Sequence, residues 1–68
     1  MFFILKNVTD PFRPVVIETF DTHLKAVNRL EQIGVIFMEE DAEYPFCVDA
    51  LGENGDLFVI EPDGEVNV

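Results

Sequence analysis

The sequence predicts an α+β domain: a small antiparallel β-sheet of four to five strands with one amphipathic α-helix packed on one face, in the order ββαβββ. Three observations lead there. Short apolar runs of strand length recur, separated by Pro, Gly, Asn and Asp. One stretch alone, "DTHLKAVNRLEQIG", carries helical periodicity. The length of 68 residues, with 49% hydrophobic residues and seven Phe, allows one small domain (1–68) with enough apolar surface to fold.

The elements follow in order. "MFFIL" is a continuous apolar run and reads as a buried strand reaching about Val8. "NVTDPFRP" breaks it, with Asp10-Pro11 as a turn signal and Pro14 excluding a helix. "VVIETF", 15–20, is rich in β-branched residues and reads as the second strand, paired antiparallel with the first. The helix covers about 22–33: Asp21 or Thr22 caps it, Leu24, Ala26, Val27, Leu30 and Ile33 share one half of the wheel, and Gly34 suits a left-handed C-cap. "VIFM", 35–38, is the third strand, and the acidic "EEDAEYP" is the exposed loop after it. In "FCVDAL", 46–51, Phe46, Val48 and Ala50 point one way and Cys47, Asp49 and Leu51 the other. "GENG" is a turn with Asn54-Gly55 as a hairpin signal, "DLFVIE" (56–61) is the returning strand, Pro62 ends it, and "DGEVNV" is a tail.

The second sheet face follows from the same pattern. One helix covers one face, yet "MFFIL", "VIFM" and "LFVI" are apolar on both. A homodimer or a bound partner would each cover the remainder, with Phe3, Phe37 and Phe58 as candidates to point outward.

Charge is the other strong signal. The net charge is −10, beyond the magnitude of about 8 usual for a small soluble domain. Residues 1–29 hold four bases and three acids, so +1; residues 30–68 hold eleven acids and no Lys or Arg, so −11. This argues against direct binding of nucleic acid or of an anionic membrane, because phosphate contacts need Lys and Arg. The five-residue apolar run at the N-terminus is too short for a signal peptide or a span. Cys47 is the single cysteine, so no intramolecular disulfide forms, which fits a reducing, cytoplasmic setting.

Residues for chemistry are few. The chain contains no Ser, and the one thiol–imidazole pairing, Cys47 with His23, lacks an orienting third group. A core cysteine and a helix-surface histidine explain both better. "MEEDAEYP" lacks the glycine and the ligand spacing of a calcium loop, and the four glycines are scattered singly rather than forming a phosphate cradle. No catalytic residue, metal or cofactor is assigned, and the chain is expected not to be an enzyme.

What remains is electrostatic recognition. Glu39, Glu40, Asp41 and Glu43 form a charge cluster, and Tyr44 beside them is the candidate aromatic anchor. The "LGENGD" turn adds Glu53 and Asp56, and the tail adds Asp63 and Glu65. Such carboxylates can imitate phosphates and attract the Arg and Lys of a nucleic-acid-binding protein. In size, acidity, cysteine poverty and element order the whole chain resembles small phage-encoded inhibitor proteins, among them anti-CRISPR proteins and uracil-DNA glycosylase inhibitors. That resemblance implies a non-enzymatic blocker of a basic partner protein. The alternative is a structural or assembly module, a homodimer or small subunit, that works through its apolar sheet face and uses the acids for solubility.

Overall fold

Among the described residues, five antiparallel strands form one sheet in the spatial order β2-β1-β5-β4-β3. In sequence these are β1 (Phe3–Asn7), β2 (Val15–Phe20), α1 (His23–Ile33), β3 (Val35–Glu40), β4 (Val48–Gly52) and β5 (Leu57–Pro62). The computed structural model describes residues 2–44 and 46–63. Most of the predicted tail, Glu65 included, lies outside the described residues.

The helix joins β2 to β3, and these are the two edges of the sheet. An 11-residue helix is about 16 Å long, and four inter-strand gaps span about 19 Å. The crossover therefore suffices to cover one face. Ala26 and Leu30 are fully buried against Phe3 and Leu5 of β1, Val48 and Ala50 of β4, and Phe58 and Ile60 of β5. Phe20, Val27, Ile33, Val35 and Met38 close the margins of this core. Thr22 supplies the N-cap, its side chain accepting from the Lys25 amide at 3.2 Å. Asp21, just before it, pairs with Lys25, and this holds its carboxyl below the usual range. Gly34 ends the helix with φ 98°, the left-handed conformation in which a Cβ would be strained.

Several expectations need correction. Leu24 is 68% exposed, because it lies roughly 140° around the helix from the Ala26–Leu30 stripe. His23 takes the inward place instead of lying on the helix surface, packed beside Phe3 and Phe46 with ring centroids 5.5 and 5.8 Å away. Phe3 and Phe58 belong to the core and do not point outward, whereas Phe37 does. The Asn54-Gly55 pair is not a two-residue hairpin turn, since Gly55 alone has positive φ, at 89°. A turn from Gly52 to Gly55 is instead closed by the Gly55 amide donating to the Gly52 carbonyl at 3.1 Å, while the Gly52 amide donates to the Asp56 carbonyl at 2.7 Å across the wider loop. Strand β5 includes Pro62, which aligns with Phe3.

The consequential difference is the length of β3. The strand does not stop at Met38 but continues through Glu39 and Glu40, which align with Asp49 and Val48 of β4. A short irregularity at Ile36 shifts the register first, so that Val35 and Phe37 align with the adjacent Gly52 and Leu51. A similar shift occurs at Ile17 on the opposite edge, β2. Bulges at both edges twist the unpaired backbone away from further strand addition.

Candidate functional site

Cross-strand alignment decides which residues share the helix-free face, because directly opposed residues project to the same side. Val48 and Ala50 are buried under the helix, so Asp49 and Leu51 between them face away from it. Asp49 aligns with Glu39 on one side and Val59 on the other, Val59 with Lys6, and Lys6 with Val16. Leu51 likewise aligns with Phe37 and Leu57. Two parallel rows result: Val16–Lys6–Val59–Asp49–Glu39 and Leu57–Leu51–Phe37. A third, shorter row holds Thr19, Ile4 and Glu61. Phe37 is 57% and Leu57 45% exposed, so the apolar row is open to solvent.

The charges on this face are unbalanced. Lys6 is its one base among the aligned residues, and it pairs with Glu61. Glu39 and Asp49 stand directly opposite each other with no ion pair to either among the described residues. Like charges in that relation oppose strand pairing. Cys47 shares their surroundings: burial, then the carboxylates Glu61, Asp41 and Asp49, push its thiol pKa up. It is therefore not a core residue but a half-buried thiol near the acidic end of this face. Its protonated form is favoured, which opposes a nucleophilic role at neutral pH.

The β3–β4 connection continues the acidic strand end. Asp41 organises it: its Oδ1 accepts from the amides of Glu43 at 2.8 Å and Tyr44 at 3.2 Å. The Asp41 amide donates to the Cys47 carbonyl at 3.0 Å, and the Cys47 amide to the Tyr44 carbonyl at 2.8 Å. Glu39, Glu40, Asp41 and Glu43 are all exposed, and so is Tyr44, at 62%. All five lie at one end of β3 and in the connection after it, but Glu39 and Glu40 project to opposite faces of the sheet, Glu39 with Asp49 on the helix-free side and Glu40 with Val48 on the helix side. The structure does not bring Glu53 and Asp56 to them, because Gly52 aligns with the first residue of β3 and Val48 with the last, about 17 Å away along the strand. Asp56 instead accepts at 3.3 Å from Thr9, whose hydroxyl in turn accepts from the Leu57 amide at 2.9 Å.

His23 and Cys47 form no hydrogen bond among the described residues. His23 Nε2 is buried without a hydrogen-bond partner among the described residues, enclosed on the helix side by Phe3 and Phe46. Among the described residues no group of three His, Cys, Asp or Glu side chains is disposed to hold a metal ion. No described helix is long and apolar enough to cross a membrane. One open depression of about 540 Å³ lies between α1 and β2, lined by Glu18, Phe20, Lys25, Asn28, Arg29 and Gln32. Its bases are engaged, Lys25 with Asp21 at 2.9 Å and Arg29 with Glu18 at 3.5 Å and Gln32 at 3.3 Å.

Asp49, Leu51 and Leu57 were not among the sequence-predicted site residues. The alternation in "FCVDAL" already set Asp49 and Leu51 on one side. Their meeting with Glu39 and Phe37 depends on the β3 register, which no local pattern specifies. Comparison of the chain with protein-family models, with curated proteins and with solved structures returns no match.

Proposed function

We propose that this chain is a small non-enzymatic binding protein that presents clustered carboxylates to a basic, nucleic-acid-binding partner protein and blocks it. The observation that supports the reading is the acidic strand end and loop: Glu39, Glu40, Asp41 and Glu43 are exposed and lack ion pairs among the described residues, Glu39 and Glu40 ending β3 and Asp41 and Glu43 lying on the turn that Asp41 fixes. A fixed turn loses little conformational freedom on binding, so a larger share of the electrostatic attraction appears as affinity. Tyr44 adds an exposed aromatic ring, with an apolar body and a polar tip, at the same end.

The test uses immobilised protein, bacterial lysate, a salt ramp and competing duplex DNA. Retention of a DNA- or RNA-binding protein that salt and competitor both release is the expected result. Retention indifferent to both would overturn the reading. Glu40→Lys with Glu43→Lys should abolish the capture. Asp41 is left in place, because reversing it would also dismantle the turn.

A second reading, an assembly module working through its apolar sheet face, is favoured by the exposure of Phe37 and Leu57 on the helix-free side. It predicts association insensitive to salt and lost when Phe37 becomes charged.

A further inference from the structure

We infer that the helix-free sheet face docks a cationic amphipathic helix of a partner protein, with the helix's apolar stripe on Leu57–Leu51–Phe37 and its basic flank over Asp49 and Glu39. This deepens the proposed function and rests on its premise of a basic partner. It moves the contact from the loop to the sheet.

The spacing carries the first part. Leu57, Leu51 and Phe37 lie on three adjacent strands, β5, β4 and β3. Adjacent strands are about 4.8 Å apart. A helix repeats on one side at i+3 and i+4, a rise of about 4.5–6 Å, so three successive stripe residues match three successive strands. Asp49 and Glu39 are two residues along from Leu51 and Phe37, hence about 7 Å to one side. A Lys or Arg on the flank of the stripe reaches that distance.

Charge carries the second part, the choice of occupant. A second copy of this chain would bring a second Glu39–Asp49 pair into the same interface, with each Lys6 already committed to Glu61. A nucleic acid or an anionic membrane would meet the same repulsion. A basic helix supplies what the face lacks: cations for two opposed carboxylates, and apolar side chains for an open row. The edge bulges at Ile17 and Ile36 speak against docking by strand addition and leave the face as the working surface.

The probes are two 18-residue Leu/Lys peptides of equal composition, one with its leucines in a helical stripe and one scrambled. Binding is read by fluorescence anisotropy, and the contact is mapped by amide shifts in the ¹⁵N-labelled protein. The expected result is at least tenfold tighter binding of the striped peptide, with shifts concentrated on β3, β4 and β5. Asp49→Lys and Leu57→Ser should each weaken it at least tenfold in proteins whose spectra remain native-like. Leu57 is partly exposed, and Asp49→Ala serves as the second, milder variant. Equal affinity for the two peptides, no binding of either, or shifts confined to residues 40–44 would each overturn the inference. In the last case the loop-based function stands and only the docking surface falls. Loss of lysate capture in Glu40→Lys/Glu43→Lys with the striped peptide still bound as expected would leave both in place.

Discussion

Replacing Asp49 by Lys should stabilise the fold. Asp49 and Glu39 are directly opposed on the helix-free face, and neither has an ion pair among the described residues. With their charges about 6 Å apart in a water-like dielectric, the repulsion is about 0.7 kcal/mol. Reversing one sign turns it into an attraction of similar size, a swing of about 1.4 kcal/mol before screening. The Debye length is about 30 Å at 0.01 M salt and about 10 Å at 0.1 M, so about 1 kcal/mol survives at low salt and roughly half of the unscreened swing at 0.1 M. For a domain of this size 1 kcal/mol moves Tm by about 4–8 °C. Urea and thermal unfolding followed by circular dichroism at both salt concentrations would read the change. The double variant Glu39→Lys/Asp49→Lys restores a like-charged pair and should lose the gain, which isolates the pairwise coupling from any general effect of lowering net charge. If Asp49→Lys stabilises equally in the wild-type and Glu39→Lys backgrounds, the two residues do not face each other and the deduced face is wrong.

Four further outcomes are expected. Leu30→Ala and Ile60→Ala empty fully buried core positions and should each cost about 2–5 kcal/mol, enough to bring a small domain close to unfolding, as checked by urea titration. His23→Phe keeps a ring between Phe3 and Phe46 while removing the unpartnered Nε2, and should raise stability by about 1 kcal/mol in the same titration. Gly34→Ala forces a Cβ into the left-handed region beside the Glu53 carboxylate and should lower stability by about 1 kcal/mol. Because the Cys47 pKa is raised, the thiol stays protonated to higher pH than an ordinary cysteine; its labelling by a disulfide reagent at neutral pH should be slower than in the urea-unfolded chain, and faster again in Asp49→Lys.

The element order was legible because its signals are local. The β-branched run at 15–20, the Thr22 cap and Gly34 each act within a few residues, and element bounds moved by no more than two positions. The division of β4 into two faces was legible for the same reason, Val48 and Ala50 on one and Asp49 and Leu51 on the other, but not which of the two the helix covers. Three other things were not. "MFFIL" is apolar at every position, so no alternation distinguishes Phe3, which is buried, from Ile4, which faces the other way. The end of β3 was read from composition, and two glutamates suggested loop. Pairing with β4 holds them in strand nonetheless, because backbone hydrogen bonds to a fixed neighbour outweigh a weak intrinsic preference. His23 sits at an inward helical angle, which the wheel reveals only once Leu24 is known to be outside.

The opposed Glu39 and Asp49 also bear on function. A sequence under selection for stability alone has many ways to avoid a like-charged cross-strand pair, and a single substitution at either position suffices. Positions where a change raises stability yet abolishes an activity are the signature of a surface kept for binding. Asp49→Lys separates the two possibilities in one protein. If the acids serve only solubility, the variant is more stable and binds whatever the parent binds. If the face receives a basic helix, the variant is more stable and the striped peptide no longer holds. The same carboxylate would then be a defect in the free protein and a contact in the complex.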